Sequence, residues 1–302
     1  MTVEESENET ILDRGVSYED VRGRLFLAVC VAASFFGIAM LALLLWDVIA
    51  TTYSAIFEFG VNPRDFLTQT SSRNVEKAGF YSAIVGSLWL MVIVSVIAFF
   101  VGVGTAVYLE EYAPDNRWTR LFEANLANLA GVPSVVYGLL VLGVVVNGAG
   151  IGPILLAGAV ALALLIVPII IVSSIEALRA VPDSVRQGSA AAGATKWQTI
   201  RNVVLPAAMP GIMTGTILAL ARAIGETAPL IMVGALFITT RTPGPFDRFG
   251  AMPTEIYTWA AQPERQFIAM AGFGILVLLV VLFSMQGLAV YVRRRYEVEF
   301  GE

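Results

Sequence analysis

The sequence predicts an all-α integral membrane protein with six transmembrane helices. Of its 302 residues, 57% are hydrophobic and 14% are charged, whereas soluble domains carry about 25% charged residues. The mean hydropathy is +0.75, and long uncharged runs recur along the chain. There is no histidine, which excludes histidine-based acid–base catalysis and most zinc sites. The net charge of −5 gives no sign of a nucleic-acid partner, and no metal site is expected.

The uncharged runs give the number of spans, because a spanning helix needs about 20 apolar residues. The 52-residue run 124–175 must hold two spans, separated by the turn-forming stretch Asn147–Pro153. The predicted helices lie near 25–49, 80–108, 121–146, 153–176, 205–238 and 267–292.

The positions of Lys and Arg predict the orientation. Twelve of the 19 fall on the side of the N-terminus, six fall on the opposite side, and Arg222 lies inside a span. Both termini are therefore expected in the cytoplasm, with the chain embedded in the cytoplasmic membrane and surrounded by lipid. Four parts follow from this topology. Residues 1–24 are an acidic, disordered tail, 25–77 are the first helix and an extracytoplasmic loop, 78–292 are a five-helix core, and 293–302 are a cytoplasmic tail.

The cytoplasmic segment 177–204 is long and contains ordered helix signals. Two four-residue patterns, beginning at Ser184 and Thr195, are typical of capping boxes, and Gly193 is placed to end the first of two short helices. The second helix is expected to continue into the fifth span. The segment is either an amphipathic element on the lipid surface or a docking site for another protein, and its small, alanine-rich side chains favour docking.

The same segment resembles the EAA loop of ABC-transporter permeases. The pattern Gln187-Gly188-Ser189-x3-Gly193-x9-Val203-x-Leu205-Pro206 keeps the family's glycine and Leu-Pro spacing, although the first triplet departs from Glu-Ala-Ala and lacks its glutamate. In that family the loop is the coupling helix, which lies in a groove of the ATP-binding subunit. The resemblance implies that the coupling residues are Ser184, Gln187, Gly188, Ser189, Ala190, Gly193, Thr195, Trp197, Leu205 and Pro206.

Two charged residues lie inside the fifth predicted span, where charge is costly unless it is paired or hydrated. Arg222 and Glu226 are four residues apart and close enough to pair on one helical face. Arg222 follows Pro206 by 16 residues, which places it about 24 Å along a helix. The pair either locks helix packing or lines an anion path, since a guanidinium offers planar, bidentate donors to phosphate or carboxylate.

The stretch from Arg222 to Pro229, Arg-Ala-Ile-Gly-Glu-Thr-Ala-Pro, is similar to that of phosphate-specific ABC permeases of the PstA type. The segments Tyr108–Ala113, Gly131–Gly138 and Ala180–Ser184 agree with that family and follow in its order. The resemblance implies a type I ABC importer permease in which Arg222, Glu226 and Thr227 lie on the phosphate path. It also implies a second homologous permease as heterodimer partner, two copies of an ATP-binding subunit, and an extracytoplasmic phosphate-binding protein.

Three further features have more than one interpretation. Pro133 and Ser134 interrupt the third helix and form either a gate or substrate-lining turn, or a packing kink. Glu110 and Glu111 are expected as a solvated helix end, with contact to the ATPase as the alternative. The Gly211–Gly215 pattern predicts a close helix contact.

The predicted function is inward phosphate transport by alternating access. The chain has no P-loop, so it is not expected to be an enzyme or to carry a cofactor, and ATP and Mg²⁺ belong on the partner ATPase. An intramembrane enzyme is disfavoured, because such enzymes gather several buried catalytic groups on different helices. The alternatives within the transporter class are a permease for sulfate, molybdate or tungstate, and the sister phosphate permease subunit.

Overall fold

A computed structural model describes residues 18–235 and 241–299, and within these ranges the chain is helical and contains no strand. Five helices there are long and apolar enough to cross a membrane, and one bent pair of helices is a sixth candidate span. In chain order the helices are α1 (Tyr18–Tyr53), α2 (Pro63–Thr68), α3 (Tyr81–Val107), α4 (Arg117–Ala130), α5 (Ser134–Val141), α6 (Leu155–Arg179), α7 (Asp183–Ala191), α8 (Lys196–Thr199), α9 (Leu205–Ile224), α10 (Ala228–Val233), α11 (Met252–Ala260) and α12 (Arg265–Glu299). The all-α prediction is confirmed.

Irregular helical turns extend several of these helices. A π-helical turn follows each of α1, α3, α5 and α8, at Ser54–Glu58, Tyr108–Tyr112, Leu142–Gly148 and Ile200–Val204, and a 3₁₀ turn forms at Val75–Lys77. The turn at Ile200–Val204 precedes Pro206, which has no N–H to donate to the carbonyl four residues earlier. Lys196–Ile224 therefore forms one long candidate span with an irregular beginning, as predicted for the helix that enters the fifth span.

The first helix and the last helix are both longer than predicted. The chain divides after Ala50 into two compact units, and α1 supplies the described part of the first. Because α1 begins at Tyr18, the prediction that residues 18–24 are disordered is wrong, while residues 1–17 lie outside the described part of the chain. At the other end, α12 continues through Glu299, so the predicted tail 293–302 is helical up to that residue.

The third predicted span, 121–146, is broken rather than continuous. Helices α4 and α5 meet at 102°, and the break lies at Gly131-Val132-Pro133. Pro133 has no N–H for the helical bond, and it caps α5 with extended backbone, φ −55° and ψ 135°. The predicted interruption at Pro133 is confirmed, but the prediction of one continuous span through 121–146 is wrong.

The fifth predicted span, 205–238, is also broken. Helix α9 ends at Ile224, three residues intervene, and α10 begins at Ala228. Gly234 then ends α10 in the left-handed region, at φ +98°, and residues 236–240 lie outside the described part. Thus α5 and α10 are both the second halves of interrupted helices.

The packing core of residues 51–299 lies between α3, α6 and α9. Val94, Ile166, Ile170 and Ile212 are fully buried there. A methyl group added at Gly211 would lie 2.7 Å from the Ala177 side chain, so α9 approaches α6 closely along the predicted small-residue face.

A second cluster is aromatic and joins the short helices that lie between spans. Phe66 stacks on Phe273 with ring centroids 4.3 Å apart, and Trp259 lies 5.4 Å from the ring of Phe80. Beside it, the buried carboxyl of Glu255 accepts a hydrogen bond from the Ser71 hydroxyl. This contact links α11 to the segment that follows α2.

Candidate functional site

The structure brings Arg222 and Glu226 together at the break in the fifth span. Arg222 lies in the last turn of α9, and Glu226 follows Gly225, the residue that caps the helix. The Nε of Arg222 lies 3.5 Å from Oε1 of Glu226. The carboxylate therefore reaches back to the guanidinium from beyond the helix end, where the backbone is no longer held by the helical hydrogen-bond pattern.

The contact with Glu226 involves only Nε of the Arg222 guanidinium. Its side chain is 46% exposed and that of Glu226 is 20% exposed. Among the described residues, the two terminal nitrogens of Arg222 make no hydrogen bond. An arginine at this depth is costly against lipid, so its exposed side is expected to face a water-filled path or another subunit.

The break of the third span packs against the break of the fifth. A methyl group added at Gly138 in α5 would lie 2.7 Å from Cα of Pro229 in α10, so the two backbones are in close contact. Tyr137, one residue earlier, is buried, donates a hydrogen bond to the carbonyl of Leu129 at 2.7 Å, and lies within electrostatic range of Arg222. Tyr137 was not among the predicted site residues, and a tyrosine in an apolar helix carries no sequence signal of such a neighbour.

The other predicted path residues are near this region but do not bond to the pair. Ser134 is the first residue of α5, Pro133 caps it, and Thr227 caps α10. In the described ranges, no hydrogen bond joins any of the three to Arg222 or Glu226.

The segment after the fourth span folds as two short helices, and we call residues 183–199 the coupling knob. The predicted capping box at Ser184 is wrong, because α7 begins at Asp183, is capped by Pro182, and has no side-chain cap. Gly193 ends the helix at φ +83°, as predicted. The second capping box is confirmed: Thr195 N donates to Gln198 Oε1 at 2.8 Å, and Gln198 N donates to Thr195 Oγ1 at 3.3 Å.

The predicted coupling residues divide into an exposed set and an internal set. Ser189 faces inward, where its hydroxyl lies 2.9 Å from that of Thr199, and Leu205 and Pro206 are half-buried at the start of α9. The exposed residues are Ser184, Gln187, Gly188, Ala190, Gly193, Thr195 and Trp197. This exposed set forms a surface of mainly small side chains with one tryptophan.

The prediction that Glu110 and Glu111 form a solvated helix end is wrong. Glu110 Oε2 accepts a hydrogen bond from Arg179 Nε at 2.8 Å, and Glu111 Oε1 accepts one from Arg186 Nη2 at 3.1 Å. The partners are about 70 residues apart in the sequence, so no local spacing rule reveals them. Among the described residues, no cluster of three or more acidic or thiol side chains is suited to a metal ion.

Residues 100–298 match the family model described as the binding-protein-dependent transport system inner membrane component. A protein of Bacillus subtilis (strain 168), named a probable ABC transporter permease protein, YqgH, is 33% identical over 97% of this chain and 98% of its own. The phosphate transport system permease protein PstA of Yersinia pestis is 31% identical over 91% of this chain and 92% of its own. PstA 1 of Mycobacterium tuberculosis (strain CDC 1551 / Oshkosh) is 34% identical over 79% and 78%.

Solved structures of ABC transporters share the fold at low identity. A chain of an inward-facing MetNI methionine ABC transporter superposes with a TM-score of 0.60 at 20% identity, covering 71% of this chain and 94% of that one. A chain of a bacterial alginate ABC transporter, solved with a periplasmic protein bound to an alginate pentasaccharide, gives 0.65 at 17% identity over 93% and 98%. Together with the six candidate spans, these matches show that the chain belongs to the family of binding-protein-dependent transport system inner membrane components, as a multi-pass permease subunit of an ABC importer related to the PstA phosphate permeases.

Proposed function

We propose that this chain is the subunit through which an ATP-driven importer moves inorganic phosphate across the cytoplasmic membrane. The observation that carries the proposal is the half-exposed guanidinium of Arg222, which is held through Nε at the break of a membrane span. Its terminal nitrogens make no hydrogen bond to the residues that the structure describes. Two parallel N–H groups are the donors that match two oxygens of a phosphate. Relatives named as phosphate transport permeases support this substrate.

Glu226 has a specific part in the proposed path. A lone arginine would retain a phosphate dianion, because the charge-assisted bonds are strong in a site with little water. A carboxylate 3.5 Å from Nε orients the guanidinium and also repels the anion, which promotes its release. The transport step requires both functions, since an ion that binds too tightly is not released.

The coupling knob is the proposed docking site for the ATPase. Its exposed set of small side chains lets a groove approach the backbone of α7, and Trp197 adds one large apolar contact. The chain lacks a P-loop, so ATP and Mg²⁺ bind to the partner and no cofactor is assigned to this chain. The proposed assembly contains a second homologous permease, two ATP-binding subunits and an extracytoplasmic phosphate-binding protein, with both termini of this chain in the cytoplasm.

A different tetrahedral oxyanion is the second candidate substrate. The guanidinium geometry suits sulfate, molybdate or tungstate as well as phosphate, and the similar YqgH and YqgI proteins carry no substrate in their names. Competition among these anions therefore belongs in the first assay.

The test is ATP-dependent uptake of labelled phosphate into proteoliposomes that contain the co-expressed permeases, ATPase and binding protein. Arg222→Gln is expected to abolish uptake while the complex still assembles, and Arg222→Lys to retain only part of it because lysine lacks the planar fork. Arg64→Gln, at an exposed arginine in α2, is the matched control. Unchanged uptake in Arg222→Gln would leave the pair with a packing role only. Uptake of sulfate, molybdate or tungstate in place of phosphate would overturn the assignment of phosphate as the substrate.

A further inference from the structure

Three basic residues from three different helices meet one short segment at the end of the second span. The segment is the π-helical turn Tyr108–Tyr112, and its last three residues, Glu110, Glu111 and Tyr112, are here called the EEY junction. Each of these three side chains contacts a different cation. Glu110 pairs with Arg179, Glu111 pairs with Arg186, and the Tyr112 ring lies 5.1 Å from Nζ of Lys196.

The three cations belong to the elements that an ATPase-driven movement must connect. Arg179 is the last residue of α6, Arg186 lies in the middle of α7, and Lys196 begins α8, which continues into the fifth span. The EEY junction therefore joins the second span to the end of the fourth span and to both helices of the coupling knob.

The contact between Glu111 and Arg186 is the most buried of the three. The side chain of Glu111 is 9% exposed and that of Arg186 is 21% exposed, whereas that of Arg179 is 53% exposed. Arg186 also donates to the carbonyl of Leu178 at 2.9 Å and to that of Val181 at 2.5 Å. Its guanidinium is thus held by the backbone turn after α6 and by the second span together.

Arg186 is also the polar connection between α7 and the second and fourth spans, whereas Ser189 contacts Thr199 at the beginning of the fifth. Among the described residues, the hydrogen bonds and ion pairs of α7 stay within residues 181–199 except those of Arg186. Apolar contacts allow helices to slide, but Nε and Nη2 of Arg186 both donate to Oε1 of Glu111, at 3.4 and 3.1 Å, and this charge-assisted contact restricts the geometry. A displacement of α7 therefore moves the end of the second span with it.

We propose that the Glu111–Arg186 pair is the joint that transmits movement of the coupling knob to the second transmembrane span. The proposal rests on the proposed docking of an ATPase on the knob. Glu111 and Arg186 act as positioning residues, since neither is placed on the phosphate path. Arg179–Glu110 and Lys196–Tyr112 flank the joint and keep the EEY junction facing the knob.

The test measures phosphate transported per ATP hydrolysed in the reconstituted complex. Glu111→Gln and Arg186→Gln are expected to keep the ATPase bound and hydrolysing, while transport per ATP falls by about twofold to thirtyfold, the range of coupling energies carried by packed networks. The double variant is expected to be no worse than the more affected single one, because both remove the same contact. Glu111→Asp, which keeps the charge, is expected to recover part of the ratio.

The matched control is Asp115→Asn, which removes the exposed Asp115–Arg120 ion pair near the same junction. Its transport per ATP is expected to equal that of the wild type. The proposal would be overturned if Glu111→Gln transported as much phosphate per ATP as the wild type, or if the two single losses added up in the double variant. If Glu111→Gln, Arg186→Gln and Glu111→Asp all fail to assemble, the pair is structural and the proposal is overturned. Failure of the proposed function is separate, because the wild-type complex itself would then lack a bound ATPase or phosphate uptake.

Discussion

Replacing Glu255 by glutamine is expected to remove a pH dependence from the stability of the aromatic cluster. Glu255 is 1% exposed, and burial raises the pKa of its carboxyl from the ordinary 4.5 to about 7, opposed by the hydrogen bond from Ser71. A raised pKa means that the folded state holds the proton more tightly than the unfolded chain. This stabilisation is complete below about pH 4.5 and is lost as the pH rises through about 7.

The size of the effect follows from the two pKa values. One pKa unit corresponds to about 1.4 kcal/mol. The contribution of Glu255 to the free energy of unfolding is therefore about 3 kcal/mol smaller well above pH 7 than below pH 4.5. Most of the loss falls between pH 5 and pH 8. Glutamine keeps a carbonyl oxygen for the Ser71 hydroxyl and has no charge to desolvate, so Glu255→Gln is expected to show no such loss.

Hydrogen–deuterium exchange of the peptide that carries residues 252–260 measures the local opening free energy directly. The intact complex is compared at pH 5 and pH 8 after correction for the intrinsic exchange rate. Glu264→Gln, at an exposed carboxyl just beyond α11, is the matched control and should behave as the wild type. Ser71→Ala removes the interaction that favours the charged form, so it should enlarge the loss. Equal losses in Glu255→Gln and the wild type would refute the reasoning.

Two glycine substitutions test the backbone geometry. Gly193→Ala places a side chain at φ +83° and is expected to destabilise the knob by about 1–2 kcal/mol, seen as weaker co-purification of the ATPase. Gly143→Ala, at a glycine outside the knob with no atom within 4 Å, is its control, and equal co-purification of the two variants would contradict the assignment. Gly215→Ala would place a methyl group against Ser173 and is expected to lower the stability of the α6–α9 contact by about 1–3 kcal/mol in thermal unfolding. Gly104→Ala meets no atom within 4 Å, so it should unfold as the wild type does, and a similar loss there would refute the steric argument.

Much of the fold was predictable because the hydropathy of a segment depends only on the residues in that segment. The 52-residue uncharged run 124–175 exceeds what one span can hold, and the chain divides it as expected between the α4–α5 pair and α6. Likewise, the capping box at Thr195 and the left-handed Gly193 depend on a few neighbouring residues. The proline at position 182 shows the limit of such patterns, because it caps α7 by its own backbone and displaces the box expected at Ser184.

The candidate site was predictable only in part. The spacing of Arg222 and Glu226 suggested a pair, but an unbroken helix was assumed between them, whereas α9 ends at Ile224. The close contact of α5 with α10, which brings Tyr137 near Arg222, depends on two helix breaks packing together. Neither helix break, taken by itself in the sequence, predicts this contact.

The sequence by itself therefore determined that this chain is a membrane-spanning helical protein with up to six spans, and that Arg222 and Glu226 are close enough to pair. Only the tertiary structure decided that α4 and α5 bend apart by 102°, and that the charges of Glu110 and Glu111 face arginines rather than water. The reason is the range of the interactions. Burial preference and capping depend on residues within about one helical turn. The ion pair between Glu111 and Arg186 depends instead on how the second span packs against the segment that follows the fourth.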